Sequence, residues 1–200
     1  MEETRMIRMS EKLDALFKEL KVASADTFFH SLRVKNLTAE MLGMTNASGT
    51  TAYTPEEVDA ICKGALLHDI GKLFITNFIL TKETYLTPEE KARIREHPAL
   101  GLEAIRGELA RDEYEMVTDI CLMHHERIDG SGYMGKTEIP MYVQIVSICD
   151  VFDALYSDRV YREGFGAKKS MELIEEGACG AFHEELIGYM RQIAATFRDK

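Results

Sequence analysis

The spacing of apolar residues constrains the fold of this chain more than any other feature of its sequence. Near the start, apolar residues recur at steps of three and four and form one stripe along a helix: Met6, Met9, Leu13, Leu16, Phe17 and Leu20. No stretch of useful length alternates apolar and polar residues as a half-buried strand would. An all-α domain is therefore predicted.

Two identical capping sequences indicate where further helices begin. TPEE occurs at 54–57 and again at 87–90, and each copy offers a Thr cap, a Pro at the first helical position and a Glu three residues after the cap. We interpret them as the same capping chemistry used twice and not as a sequence repeat. Periodicity predicts the remaining helices over about 24–44, 88–96, 98–106, 111–125, 140–157, 168–178 and 183–198.

Length and charge narrow the class of protein. At 200 residues with 46% hydrophobic residues, the chain can bury one substantial core, and one domain is the default. The net charge of -10, without any block of Lys and Arg, argues against a nucleic-acid polymer as partner. A phosphate-bearing substrate stays open, provided that local cations receive it.

The N-terminal residues, the apolar runs and the cysteines all bear on where the protein is located. Acidic residues stand where a signal peptide would be basic, and no run approaches the roughly 18 apolar residues that a membrane span needs. We therefore expect a soluble, cytoplasmic protein that does not bind a membrane. Four cysteines, none in a CxxC pair, are expected to be reduced core residues and not disulfides or zinc ligands: Cys62, Cys121, Cys149 and Cys179.

A histidine and an aspartate stand together in an unusual place. His68 and Asp69 follow two leucines at the end of a predicted helix, and we interpret Gly71 as the residue that lets the chain turn there. His97 precedes a proline at another predicted helix break. A lone histidine is more often a core or surface residue than a ligand, so that alternative stays open for each one.

Two further histidines, His124 and His125, close the apolar pattern MVTDICLM and precede a glycine-rich loop. Imidazoles and carboxylates that gather at helix ends from distant parts of a chain suit a metal site, because their own backbone does not obstruct convergence. His183 has no such context and is expected to be structural.

Carboxylates extend the same pattern. Asp150 and Asp153 lie three residues apart in the apolar run VSICDVFDAL, where an unpaired acid would cost several kcal/mol. The alternative is that one of them faces solvent. Asp26 and His30 share a helix face at a spacing of four residues, so both could reach one ion, although Asp26 could equally stabilise the helix start.

Five ordered segments resemble one known family. His30, HDIGK, REHPALG, HHERIDGSGY and ICDVFDALYSDRVYREG are together similar to the HD-GYP family within the HD superfamily of metal-dependent phosphohydrolases, over about residues 24–190. The resemblance implies an HD-domain helical bundle of about seven to nine helices with a buried metal centre, formed by residues 23–200. The helix within residues 1–22 either packs on this bundle or connects it to a partner protein or an upstream sensor domain.

The resemblance also implies a metal-ligand set for two or three divalent ions. One ion would be held by His30, His68, Asp69 and Asp150. Asp69 would bridge to a second ion held by His97, His124 and His125. Asp26 occupies the position from which some members bind a third. Nitrogen and oxygen ligands without thiolate favour iron or manganese, with nickel, cobalt, zinc or magnesium as alternatives.

Substrate contacts follow from the same comparison of motifs. Lys72, Arg159 and Arg162 match positions that contact substrate phosphate, and Asp69 and Lys72 are the expected catalytic residues. The alternatives are that Lys72 is an ordinary helix-end lysine and that the two arginines are salt-bridged surface residues. Asp153 is a further candidate for a substrate contact.

The name motif of the family is altered. Gly-Tyr-Pro is replaced by Gly132-Tyr133-Met134, and the segment after it is a few residues shorter than usual. Tyr133 is still a candidate substrate contact. The alteration bears on specificity for cyclic di-GMP and not on the metals.

Three functions remain in view from the sequence. The leading hypothesis is a phosphodiesterase that uses a metal-activated water to hydrolyse a cyclic dinucleotide, cyclic di-GMP first, to pGpG or GMP. The second is a phosphohydrolase of another nucleotide. The third is a signalling module that binds metal or nucleotide without turnover, which the intact ligand set disfavours.

Overall fold

A computed structural model describes residues 9–82, 84–158 and 163–199 of the chain. It contains ten α-helices in the described ranges: α1 (Glu11–Ala23), α2 (Ala25–Ser48), α3 (Pro55–Leu67), α4 (Asn77–Leu80), α5 (Pro88–Ile94), α6 (His97–Ile105), α7 (Tyr114–Met123), α8 (Met141–Tyr156), α9 (Ala167–Glu175) and α10 (Glu184–Ala194). A 3₁₀ helix, Ile70–Phe74, lies between α3 and α4.

The predicted all-α architecture is confirmed. Nine of the α-helices in the described part of the chain are longer than one turn, in agreement with the expected seven to nine. Sequence periodicity missed the 3₁₀ helix and the single-turn α4, and it ended α2 four residues early at 44. Helix α2 continues to Ser48 and ends at Gly49, whose φ of 81° is the left-handed conformation that favours glycine. No helix in the described ranges combines the length and apolarity needed to cross a membrane.

Both predicted capping boxes are present. The Thr54 hydroxyl accepts a hydrogen bond from the Glu57 backbone N–H at 3.2 Å, and the Glu57 carboxylate accepts one from the Thr54 N–H at 2.8 Å. Thr87 and Glu90 repeat this arrangement at the start of α5. Each box pairs two backbone donors that a helix start would otherwise leave unpaired.

Helix α1 packs on the rest of the domain through the predicted stripe. Leu13, Phe17 and Leu20 are buried. They join a cluster contributed by the end of α3, the 3₁₀ helix, α6 and α7: Leu66, Leu67, Ile70, Ile105, Val117 and Cys121. Met6 of the stripe lies outside the described residues. The division of the chain into 1–22 and 23–200 stays a prediction.

A larger core surrounds helix α8, which packs against α2, α7, α9 and α10. Every residue of α8 from Val143 to Asp153 is buried. Cys62, Cys121 and Cys149 are buried and Cys179 is half-buried, and all four are free thiols, as expected. Because α8 is enclosed on most sides, its acidic residues are held in the interior and require polar partners there.

Gly71 marks the closest approach between two elements of the fold. Its φ is not positive, so the backbone conformation by itself does not require glycine here. A Cβ at this position would lie 1.9 Å from the His97 carbonyl oxygen and 2.5 Å from the Gly101 nitrogen. The absence of a side chain therefore lets the 3₁₀ helix touch the backbone of α6, which brings Asp69 beside His97.

We expect Gly71→Ala to lower the free energy of unfolding by about 2–3 kcal/mol or more, because the new methyl group meets immobile backbone atoms. Gly43→Ala is the matched control. Gly43 is exposed inside α2 with open space around its Cβ position, so alanine there should raise the free energy of unfolding by about 0.5–1 kcal/mol. Urea denaturation measures both, and similar effects of the two substitutions would contradict the close-approach argument.

Candidate metal centre

The histidines and aspartates of interest come from five helices. His68 and Asp69 follow α3, His97 begins α6, and His124 and His125 follow α7. The expectation that such groups gather at helix ends holds for these five. The other two, His30 and Asp150, project from the interiors of the packed helices α2 and α8. All seven residues except His125 are buried.

The first group of potential ligands contains His30, His68 and Asp150. Their nearest ligand atoms all lie within 4.8 Å of one another. The Asp150 Oδ1 atom is 2.9 Å from His30 Nε2 and 3.7 Å from His68 Nε2. One carboxylate oxygen thus faces two imidazole nitrogens.

The second group contains three histidines. His97 Nε2 is 3.2 Å from His124 Nε2 and 3.3 Å from His125 Nε2. The three ligand atoms again lie within 4.8 Å of one another. Three imidazole nitrogens therefore converge on one point from the start of α6 and from the two residues that follow α7.

Asp69 lies between the two groups and faces both. Its Oδ2 atom is 3.4 Å from His68 Nε2 and 3.8 Å from His30 Nε2. Its Oδ1 atom is 3.2 Å from His97 Nε2 and 4.0 Å from His124 Nε2. This carboxylate is the one group placed to serve ions on both sides.

Backbone carbonyls orient three of the imidazoles. His68 Nδ1 donates to the Ala65 carbonyl at 2.7 Å, and His97 Nδ1 donates to the Ile94 carbonyl at 2.7 Å. His124 Nδ1 lies 3.1 Å from two carbonyl oxygens of α7. Since a carbonyl only accepts, each of these rings carries a proton on Nδ1, and whenever the ring is neutral its Nε2 presents a lone pair to the centre.

This arrangement fits divalent cations. The neutral His97 and His124 rings turn two lone pairs toward each other at 3.2 Å, a repulsive contact that a cation would relieve. Two further buried atoms, His68 Nε2 and Asp69 Oδ1, make no hydrogen bond. Neutral nitrogens with carboxylate oxygens are the donor set that transition metals accept.

Burial keeps the second group neutral. It lowers the pKa of His97 to about 4 and that of His125 to about 3. It also holds the pKa of His124 well below its ordinary value, with the neighbouring histidines adding to the effect. Neutral imidazole is the form that binds a metal, so these rings need not lose a proton first.

The first group is more strongly charged. Burial opposes ionisation of Asp69 and Asp150, but the Lys72 ammonium at Asp69 and hydrogen bonds from His30 and His68 at Asp150 outweigh it and hold both carboxyl pKa values well below the ordinary range. Burial likewise opposes protonation of His68, yet these two carboxylates raise its pKa to about 10. A metal ion would take the place of that proton.

Two predicted substrate contacts have partners within the site. Lys72 Nζ donates to Asp69 Oδ2 at 2.6 Å. Asp153 accepts from His30 Nδ1 at 2.6 Å and pairs with the Arg33 guanidinium through two contacts of 2.6 and 3.0 Å. Asp150 and Asp153 are both buried, so the alternative that one of them faces solvent is wrong.

The remaining predicted residues differ in placement. The Tyr133 ring stacks on His125, with ring centroids 4.2 Å apart. Asp26 is half-buried in the first turn of α2 and belongs to none of the three ligand groups found among the described residues. Arg159 and Arg162 lie outside the described residues.

Two charged residues next to the ligands escaped the sequence analysis. Glu126 is buried and its carboxylate accepts hydrogen bonds from the backbone N–H groups of Met134 at 2.9 Å and Lys136 at 2.7 Å, which folds the loop that carries Tyr133. Arg127 is also buried. No sequence signal distinguished them, because a charged pair at the start of a loop is ordinary.

A cavity of about 340 Å³ opens directly on the ligand groups. We call it the metal-side cavity, and its polar lining comprises His30, Asp69, Lys72, His125, Arg127 and Asp150. It is the space in which a substrate phosphate could meet the ligand groups and two cationic side chains.

Comparison with known proteins assigns the family. The model of the HD domain matches residues 27–155, which contain all seven potential ligands. The chain belongs to the HD domain family. A solved structure, that of Bd1817, a HDG"Y"P protein from Bdellovibrio bacteriovorus, is similar with a TM-score of 0.65 at 19% identity, covering 91% of this chain and 62% of that chain. The two structures share the same fold, and the expected HD-type helical bundle is confirmed.

Two relatives of this chain support its resemblance to HD-GYP proteins. The cyclic di-GMP phosphodiesterase response regulator RpfG of Xanthomonas campestris is 40% identical over 136 residues, which cover 66% of this chain and 33% of RpfG. The 3'3'-cGAMP-specific phosphodiesterase 3 of Vibrio cholerae is 32% identical over 141 residues, 69% of this chain and 30% of that relative. The resemblance to HD-GYP proteins is thereby confirmed. The chain spans about a third of the length of these relatives.

Metal-free protein should lose stability as pH falls from 6.5 towards 4. His97 and His125 titrate in the folded protein near 4 and 3, below their ordinary 6.5, so the unfolded chain binds more protons in this window. A depressed folded-state pKa gives stability that is present above 6.5 and lost on acidification. Each residue should remove up to about 1.4 kcal/mol of unfolding free energy per pH unit.

Urea denaturation of chelator-treated protein across this window measures the effect. His97→Gln should make the pH dependence shallower, whereas His183→Gln, at an exposed histidine, should not. An identical slope in the His97 variant and the unaltered protein would contradict the assignment of neutral, buried imidazoles.

Proposed function

We propose that this chain is a metal-dependent phosphodiesterase that hydrolyses a cyclic dinucleotide, with cyclic di-GMP as the leading substrate. One observation carries the proposal: imidazole Nε2 atoms and the two oxygens of Asp69 converge, buried and pre-oriented, at the wall of the metal-side cavity. The choice of a cyclic dinucleotide rests on the relatives named above, both of which are named for action on such compounds.

The proposed ligand set contains two groups joined by one carboxylate. One ion would be held by His30, His68, Asp69 and Asp150, and the other by Asp69, His97, His124 and His125. Their distances and ring orientations support this division. Iron or manganese is favoured by the mixed nitrogen and oxygen donors, and nickel, cobalt, zinc or magnesium are alternatives.

Divalent ions in these positions supply Lewis acidity, which lowers the pKa of water and polarises phosphodiester oxygens. The protein supplies orientation and charge. Asp153 holds the His30 ring through Nδ1, as the Ala65 and Ile94 carbonyls hold two other rings, so each Nε2 is directed without rearrangement. We therefore propose that Asp153 is a positioning residue and not a contact to substrate.

Hydrolysis adds water across one phosphodiester bond: the P–O bond to a ribose oxygen breaks, and the released alcohol takes up a proton. The first cut converts cyclic di-GMP to pGpG, and a second yields GMP. Lys72 places a positive charge beside Asp69 at the metal-side cavity and is proposed to contact the substrate phosphate. Arg159 and Arg162 are proposed for the same task on their sequence motif. A regulatory domain or partner protein, as expected from the sequence, stays a prediction.

The experiment that tests this function is hydrolysis of a nucleotide panel by the metal-loaded protein. The panel contains cyclic di-GMP, 3'3'-cGAMP, pGpG and an aryl phosphodiester, with metal content measured on the same sample. Cleavage of cyclic di-GMP is the expected result. Cleavage of 3'3'-cGAMP alone would move the substrate to the mixed dinucleotide, as in the Vibrio relative. Metal binding without any turnover would identify a binding module and reject the proposal.

Asp69→Ala should remove metal and activity together while most helicity remains, because the carboxylate faces both ligand groups but packs little apolar surface. Metal analysis, circular dichroism and turnover of the aryl diester measure these three properties. Asp119→Ala, whose carboxylate accepts a hydrogen bond from Tyr142 outside the ligand groups, is the control. Full metal occupancy and normal turnover in the Asp69 variant would rule out a shared carboxylate.

A third ion at Asp26 is a separate proposal. If Asp26 binds one, Asp26→Ala should lower the metal-to-protein ratio by about one ion while the two-ion centre and its activity on the aryl diester persist. Asp14→Ala, at an acid in the first turn of α1, is the matched control for the loss of a helix-start charge. An unchanged ratio would assign Asp26 to helix stabilisation alone.

A further inference from the structure

Arg127 is a buried cation that the proposed chemistry leaves without a task. Its side chain is only 7% exposed. Nε donates to the Cys179 carbonyl at 2.8 Å, and Nη1 donates to the carbonyls of His124 at 3.0 Å and Glu126 at 2.7 Å. The guanidinium also lies over the Phe182 ring, at 4.8 Å from its centroid.

These partners hold the guanidinium in place without a direct ion pair. All three acceptors are neutral carbonyls, and among the described residues the carboxylates of Asp150, Asp129 and Glu126 stabilise the Arg127 charge only from beyond ion-pair distance. Nη2 makes no hydrogen bond within the described residues, and it is not among the fully buried unpartnered atoms, so it reaches solvent. A fixed arginine with one accessible nitrogen can bind an anion with little further ordering.

Space for that anion adjoins the proposed catalytic position. A second cavity, of about 400 Å³, lies on the other side of Arg127, and we call it the arginine cavity after Arg95 and Arg127 in its lining. It shares His125, Arg127 and Cys179 with the metal-side cavity. A ligand that extends from one cavity into the other would therefore pass Arg127.

The arginine cavity suits an anionic group. Two arginines, Arg95 and Arg127, line it. The Arg95 guanidinium lies 4.9 Å from the centroid of the Tyr133 ring, which also lines the cavity. Its one acid, Asp129, is already bound through both oxygens, to Ser131 and to the Ala181 backbone N–H. The acid is thus used to hold the loop and does not pair with either arginine.

We infer that the arginine cavity, with Arg127 as its fixed donor, is the subsite for the second phosphodiester of the substrate, the one that is not being cut. The inference rests on the proposed function. A cyclic dinucleotide carries two phosphodiesters in one ring, so one can meet the metal-side cavity while the other lies beside Arg127. A substrate with a single phosphodiester has no group for this subsite, and Arg127 then determines specificity for two-phosphate substrates.

The test compares kcat/KM for cyclic di-GMP with kcat/KM for bis(4-nitrophenyl) phosphate, which has one phosphodiester. Arg127→Met removes the charge, Arg127→Lys restores it, and Arg95→Met removes the charge of the exposed arginine in the same cavity. Arg111→Met is the control. Arg111 is exposed and precedes α7 at the end opposite to His124, about 15 Å away along the helix.

The expected result is a loss on cyclic di-GMP that exceeds the loss on the aryl diester by roughly tenfold or more in Arg127→Met, mainly through KM. Arg127→Lys should recover part of this ratio, Arg95→Met should lower it in the same direction, and Arg111→Met should not change it. Metal content is measured on every variant, because Arg127 also holds the carbonyl of His124.

Two outcomes would overturn the inference. Equal losses on both substrates together with reduced metal content would make Arg127 a support of the His124 segment only. An unchanged ratio in Arg127→Met would show that no phosphate is bound there. If the unaltered protein does not cleave cyclic di-GMP at all, the proposed function fails and the inference with it, a result distinct from turnover with equal losses.

Discussion

The buried carboxylate of Asp69 is the group on which the rest of the centre depends. It keeps its negative charge in the interior because Lys72 and His68 stabilise that charge more than burial opposes it. Its two oxygens face opposite ligand groups. One side chain therefore lies close to histidines contributed by the ends of α3, α6 and α7. Gly71 permits this by letting the 3₁₀ helix touch α6 without an intervening side chain.

The two sides of Asp69 are electrically different. The side with Asp150 is charged and draws a proton onto His68, whereas burial leaves the histidines of the other side neutral. Backbone carbonyls at the ends of α3, α5 and α7 fix the ring orientations, which places the donor lone pairs toward a common interior. Helix ends contribute here twice, as positions from which side chains converge and as sources of unpaired carbonyls.

Sequence reasoning identified the helices and the seven potential ligands but not the supports around them. Asp153 was expected to contact substrate, and the structure shows its carboxylate bound to His30 and Arg33. Arg33 itself carries no motif, since its partner is 120 residues away in sequence. Arg127 was overlooked for a similar reason. Its guanidinium donates to a carbonyl in a distant loop as well as to one in its own segment.

The sequence by itself determined the helical class, the helix starts and the residue types that can hold a metal, because periodicity, capping boxes and short motifs are local properties. Only the tertiary structure decided which oxygen of Asp69 faces which histidine, why residue 71 must be glycine, and where the buried Arg127 guanidinium adjoins the metal-side cavity. These depend on distances between segments far apart in the chain. Such distances result from the packing of helix faces, which no local pattern specifies.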